Sequence, residues 1–206
     1  PEMLSMAEAR VIVADPGHLE RAAAACDRVL VLGGGDERRI EGADGEHIVD
    51  MELIDPAKVR RPAWYRPDPG LAGDLAFILF TETQGRINRW SITNHRFAMS
   101  AFGAAAAAGL SNRDTVYCLP PLHHASGLLT TLGATAAGRS RIALSTGIDP
   151  ARLSSEIRRY GVTVVSYTWN MLSEIMDSPE FDAGQLDSVR LFMGSGLSSG
   201  QWTRLR

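Results

Sequence analysis

The sequence predicts an α/β protein: a parallel sheet with helices on both faces. Three observations carry that prediction. Strand-length apolar runs alternate with helical segments along nearly all of the 206 residues. The run "DLAFILF" is apolar on both of its alternating sides, as in a strand covered on two faces. Asp149 as N-cap, Pro150 in the first turn and Gly161 as stop frame one helix between two such runs.

The elements follow in order. "ARVIVAD" is a β-branched strand closed by Asp15-Pro16, "HLERAAAACDR" has helical composition, and "VLVL" makes a second strand, giving a β-α-β beginning. No element is expected ahead of the first strand. The glycine-rich "GGGDERRIEGADGEH" reads as a polar turn, "HIVDMELID" as a short strand, and "RRPAWYRPDPG" as a connector. "DLAFILF" is then a fully buried strand, followed by a loop, and "NHRFAMSAFGAAAAAGL" is a helix whose start Asn94 marks. "DTVYCL", "SRIALS", "VTVVSYT" and "VRLFMGSG" read as strands; "HASGLLTTLGATAAG", "DPARLSSEIRRYG", "NMLSEIMDS" and "SGQWTRLR" read as the helices between and after them.

The formal charge of -3 is spread without a basic stripe, which argues against a nucleic-acid partner. Cys26 and Cys118 lack the spacing of a zinc knuckle or redox pair and read as free thiols in a reducing, cytoplasmic setting; no metal site is expected. Lys58 is the only lysine, so lysine-dependent chemistry has one candidate, in a connector. The long uncharged run from Thr115 to Gly138 is interrupted by Pro120, Pro121, His123 and His124, so a transmembrane segment is not expected. No charged-then-apolar leader pattern opens the chain. Arg206 falls inside an apolar-periodic helix without a stop signal, and the chain reads as a piece of a longer one.

Three segments could carry chemistry. The first is "FTETQGRINRWSITNH", where Thr81, Thr83, Gly85, Arg86 and Arg89 follow a strand as a phosphate-binding turn would. Glu82 opposes an anion there, and a plain connector explains the same residues. The second is "PPLHHASGLL", where His124 stands at a helix start beyond a parallel strand, the edge at which open sheets bind ligands. A histidine that caps the helix or sits satisfied in the core is the alternative. The third is "VRLFMGSGLSSGQW", which contains Gly196-Leu197-Ser198-Ser199-Gly200 between a strand and a helix, formally a nucleophile elbow. No Asp, Glu or His follows Ser198 to complete a triad, so a glycine-softened turn is the simpler reading. The triplet Gly33-Gly34-Gly35 does not make a dinucleotide fingerprint.

In order and spacing these segments resemble the N-terminal region of the AMP-forming acyl-CoA synthetases, the adenylate-forming superfamily that includes luciferase and peptide-synthetase adenylation domains. The family's "DLAFI-YTSGTTG-PKGV---TH", "LPLFH--GL", "DP" helix, "VT" strand, "ML" helix and "SGGAPLS" are matched by "DLAFILFTETQGRINRWSITNH", "LPPLHHASGLL", "DPARLSSEIRRYGVTVVSYTWNML" and "LFMGSGLSS". Counted back from His95 without gaps, Thr81 keeps the family threonine, Arg89 stands at the loop lysine, and Arg86 and Trp90 replace glycines. The loop is kept in length and eroded in chemistry, a departure similar to that of degenerate synthetase modules in acyl-CoA synthetase/lipase-type fusion proteins.

The resemblance implies that His124, Gly127, Tyr167, Trp169 and Met171 lie near the adenylate and acyl group, and that Gly194, Ser195 and Gly196 form the adenine wall. It implies ATP, CoA and Mg²⁺ as co-substrates and cofactor, and a fatty acid as substrate. It also implies the end of a first subdomain over residues 1–66, a phosphate-loop-bearing β/α subdomain over 67–206, and a remainder of the enzyme, with fused lipid-metabolism domains, elsewhere. The expected function is that of a long-chain fatty acyl-CoA synthetase, the fragment alone being inactive. A non-catalytic module that binds lipid or a partner domain, and a serine hydrolase acting through Ser198, are the alternatives.

Overall fold

Residues 2–35, 40, 42–68, 70–144, 147, 149–182, 184 and 186–205 are described in the computed structural model. Parts of the polar turn expected after Leu32 (residues 36–39 and 41), position 145 at the end of "SRIALS" and position 206 fall outside them. The chain divides into two compact units, Pro1–Pro69 with Phe80–Arg89, and Gly70–Leu79 with Trp90–Arg206.

In the first unit, β1 (Ile12–Ala14), β2 (Val29–Val31) and β3 (Ile48–Asp50) form a parallel sheet in that order. Helix α2 (Leu19–Ala23) makes the crossover, and Ala22 packs against the fully buried Val29 and Val31. A short helix, α1 (Glu2–Ala7), precedes β1 and corrects the expectation that nothing does; it buries no residue, which explains why apolar periodicity did not announce it.

The second unit carries a four-stranded parallel sheet in the order β7-β6-β8-β9: β6 (Thr115–Cys118), β7 (Arg141–Leu144), β8 (Val164–Ser166) and β9 (Leu191–Met193). Alternation divides its side chains between two helical layers. Tyr117 and Val165 face a core made with α5 (Pro150–Tyr160) and α6 (Trp169–Met176), where Leu153, Ile157, Leu172, Ile175 and Met176 are buried. Cys118 and Ser166 are paired neighbours on the opposite face, where the Thr131 hydroxyl is 2.6 Å from that of Ser166. Thr131 belongs to a π-helical segment (Ser126–Leu132) that runs into α4 (Gly133–Ala137). The Thr130 and Thr131 hydroxyls both donate to the Ser126 carbonyl at the start of this segment. Helix α3 (Asn94–Ala107) packs on this layer through Ala101, whose Cβ lies 3.0 Å from where Gly133 would carry one. Helices thus cover both faces, as the sequence predicts.

Helix α5 starts and stops where expected: Asp149 accepts from the Ala151 and Arg152 amides, and Gly161 takes the left-handed conformation. Helix α3 starts at Asn94, where expected. Its cap is Thr93, whose hydroxyl accepts from the Arg96 amide, and Asn94 is the first helical residue. Asn94 instead donates its side-chain amide to the Leu71 carbonyl.

The larger correction concerns "FTETQGRINRWSITNH". It is a β-hairpin rather than a strand followed by a loop: β4 (Leu75–Thr83) and β5 (Arg86–Thr93) form a two-stranded sheet of their own. Gln84 and Gly85 both lie at positive φ, 51° and 73°, the conformation that a two-residue turn needs to match the twist of its strands. The β-branched and aromatic residues Thr81, Thr83, Ile87, Trp90, Ile92 and Thr93 favour that outcome. Residues 76–80 are half-buried and Leu75 is exposed, so "DLAFILF" is not the fully buried strand expected. At the hairpin's base, Phe77 packs edge-on against Phe97 of α3 with ring centroids 5.1 Å apart.

Helix α7 (Ser199–Arg204) closes the chain. Its N-cap is Ser198, in a reciprocal capping box with Gln201.

Candidate functional site

A cavity of about 720 Å³ lies in the second unit, at the carboxyl ends of β6, β8 and β9 and along α3. This is the edge where open parallel sheets receive ligands. His124, Tyr167, Gly194 and Ser195, which the sequence and its family resemblance single out in three separate segments, all line it. The other expected acyl- and adenine-facing residues have different surroundings. Gly127 lies against backbone, since a Cβ there would meet the Pro121 carbonyl oxygen at 2.2 Å and that of Pro120 at 2.8 Å. Gly196, at φ 88°, backs onto Trp169, whose Cβ lies 2.9 Å from where a glycine substituent would project. Trp169 is half exposed, and Met171 packs on the α5–α6 core.

His124 is exposed and closes the turn that follows β6, its amide donating to the Pro121 carbonyl. Its Nδ1 is 2.8 Å from the Ser126 hydroxyl and 3.4 Å from the Ser126 amide. An Nδ1 that accepts an amide proton places the neutral ring's own proton on Nε2, which leaves that nitrogen to donate to a ligand. Tyr167 follows β8 and is buried, and its ring meets Phe192 edge-on at 6.5 Å. Burial pushes its phenol above the ordinary range, so it stays protonated and serves as a wall. Gly194 lets the β9 end press on it: a Cβ at Gly194 would meet the Tyr167 carbonyl oxygen at 2.5 Å and the ring at 2.7 Å.

Sequence reasoning missed Arg96, which lines the same cavity one turn into α3. The available signal was the stripe Arg96, Ser100, Ala104, Ala108, with a spacing of four that puts all of them on one helical face. No acidic side chain belongs to the described lining.

The expected phosphate-binding residues Thr81, Thr83, Gly85, Arg86 and Arg89 are exposed on the hairpin's distal part, and none of them belongs to the described cavity lining. A backbone phosphate cradle requires several amides free to converge on one anion. A ladder closed by a two-residue turn does not offer that set. The hairpin also separates the two arginines. Side chains alternate with a period of two along a strand, so Arg86 and Arg89, three apart in β5, project from opposite faces of the ribbon. The residues present therefore do not fit a triphosphate held in the usual way for this motif.

Ser198 does not have the setting of a nucleophile. Its hydroxyl accepts from the Gln201 amide at 3.3 Å and lies 2.9 Å from Gln201 Oε1. Cys118 is buried, donates to the Pro120 carbonyl, and has its thiol pushed up to about 11 by burial. Among the described residues no three His, Cys, Asp or Glu side chains converge to hold a metal ion. No described helix is long and apolar enough to cross a membrane.

The chain matches the family model for AMP-binding enzyme over residues 2–206. It is 30% identical over 128 residues to long-chain fatty acid transport protein 5 of Mus musculus, covering 62% of this chain and 18% of that protein. It is 27% identical over 175 residues to the medium/long-chain-fatty-acid–CoA ligase FadD17 of Mycobacterium tuberculosis, covering 84% of this chain and 35% of that one. Apo MatB of Rhodopseudomonas palustris superposes with a TM-score of 0.73 at 24% identity, over 99% of this chain and 39% of that one; its ATP-bound form gives 0.73 at 20%, over 95% and 37%. The chain thus spans about a third or less of the length of these two curated relatives.

Proposed function

Because this chain belongs to the AMP-binding enzyme family, we propose that the protein carrying it is an acyl-CoA synthetase-like ligase, which activates a long-chain fatty acid with ATP and passes it to CoA. One observation carries this reading: the cavity at the strand ends gathers His124, Tyr167, Gly194 and Ser195 from three segments well separated in sequence. The fatty-acid–CoA ligase relative supports the substrate class. In the reaction a carboxylate oxygen attacks the α-phosphorus of ATP, pyrophosphate leaves, and the thiol of CoA then displaces AMP from the acyl carbon. In this chain's share of the work, Tyr167 and the apolar wall exclude water, and His124 Nε2 donates to the carboxyl end of the substrate. Phosphate contacts from the hairpin, where made, come from one arginine side chain rather than from the main chain.

The hairpin favours a second reading. A module with the acyl cavity and without the triphosphate cradle binds fatty acid and adenylates nothing. Fatty-acid-dependent exchange of labelled pyrophosphate into ATP by the full-length protein separates the two. The ligase reading expects exchange; binding of fatty acid without exchange at any chain length rejects it in favour of the second.

A further inference from the structure

The cavity is polarised from end to end. On α3 its lining runs from Arg96 and Ser100 to Ala104, Ala107 and Ala108. Twelve residues at 1.5 Å of rise separate Arg96 from Ala108, a span of about 18 Å. The wall opposite has the same polarity, as one contact shows. Arg190, immediately before β9, donates through its guanidinium to the Ala108 and Gly109 carbonyls, so the C-terminal end of α3 sits at the start of β9. Arg96 accordingly lies toward the end where β9 finishes and gives way to Gly194 and Ser195, the end that also carries His124 and Thr168. Leu191 lies with Ala107 and Ala108 at the opposite, apolar end.

Arg96 is the sole charged side chain in the described lining, and no described residue pairs with its guanidinium. A cation without a described counter-ion at one end of a slot that carries no other charged side chain, and whose far end is lined by Ala107, Ala108 and Leu191, complements an amphiphile with one anionic head. We infer that Arg96 is the head-group-binding residue of this cavity and sets its preference for a carboxylate over an uncharged head of the same chain length. The inference rests on the acyl-pocket reading above and deepens it by naming the residue that selects the acid. Arg96 stands outside every segment that the family resemblance singled out, and it acts in binding, whatever the fate of the nucleotide.

The test uses the full-length protein and two probes of equal tail, dodecanoate and dodecanol, titrated calorimetrically. A charge-assisted hydrogen bond at the head predicts roughly tenfold tighter binding of the acid. Arg96→Gln is expected to bring the acid to the affinity of the alcohol while leaving the alcohol's own affinity unchanged, and Arg96→Lys to restore part of the preference. Because Arg96 is exposed and its guanidinium makes no described hydrogen bond or ion pair, both variants should keep the parental melting temperature. Equal binding of acid and alcohol by the parent, or a preference that survives Arg96→Gln, overturns the inference and leaves the acyl pocket standing. Binding of neither probe overturns the pocket reading, and the inference falls with it.

Discussion

Asp114 Oδ1 accepts from Arg190 Nε at 2.8 Å, and this pair ties together the starts of three parallel strands. The same oxygen accepts from the Thr163 hydroxyl at 2.8 Å, and Oδ2 accepts from the Ser111 amide at 2.9 Å, so the buried carboxylate is fully engaged. Arg190 foremost, with Thr163 and Ser111, holds the Asp114 carboxyl well below the usual carboxylate range. A carboxyl with a depressed folded value adds stability that is complete above its unfolded value, near 3.8, and is lost as pH falls toward the folded one. Asp114→Asn is expected to cost about 2–3 kcal/mol at pH 7. Urea midpoints of parent and variant should converge between pH 4 and pH 2; a gap that stays constant there would remove the carboxylate from the account.

Gly194 and Tyr167 meet at the cavity without room for a methyl group, because the atom a Cβ would strike is a backbone carbonyl oxygen 2.5 Å away. Gly194→Ala should therefore displace Tyr167 and destabilise the protein by about 1–3 kcal/mol. Fatty-acid affinity should fall with it. Unchanged melting temperature and affinity would show that the strand end yields more readily than this packing implies.

Ser198 caps α7, and its role is structural. Ser198→Ala is expected to cost about 1 kcal/mol through loss of the cap. A fluorophosphonate probe should leave this serine unlabelled in the folded protein. Labelling at Ser198 would revive hydrolysis as the chemistry of this segment.

Arg86 and Arg89 project from opposite faces of the β5 ribbon, so at most one of them can serve a given phosphate. In the full-length protein, Arg86→Ala and Arg89→Ala should have unequal effects on the KM for ATP, one raising it roughly tenfold, the worth of a single charge-assisted contact, and the other leaving it near the parental value. Equal losses from both variants would mean that the segment forms a converging loop when nucleotide is present.

Elements whose signals are local were legible in the sequence. Asp149, Pro150 and Gly161 mark α5 at both ends, since capping depends on neighbouring backbone alone. The hairpin was not legible as such. Its polar stretch from Glu82 to Arg89 suggests a loop, and the aligned phosphate-binding motif reinforces that suggestion, whereas the turn is signalled only by Gly85 after Gln84. His124 could be picked out because it follows a parallel strand at the edge where strand ends converge, whereas Tyr167 and Gly194 were named through the family resemblance. Arg96 was marked only by its four-residue stripe along α3, because its importance comes from the way α3 lies along β9, a tertiary relation fixed by the Arg190 contacts to Ala108 and Gly109.

The cavity as the seat of the acyl chain is tested most directly by photolabelling the full-length protein with a long-chain fatty acid that carries a diazirine near its terminal methyl. Cross-links should fall on Ala104, Ala107, Ala108 and Leu191, the apolar end of the slot, and should be competed away by unlabelled fatty acid. Competable cross-links confined to other segments would contradict the account.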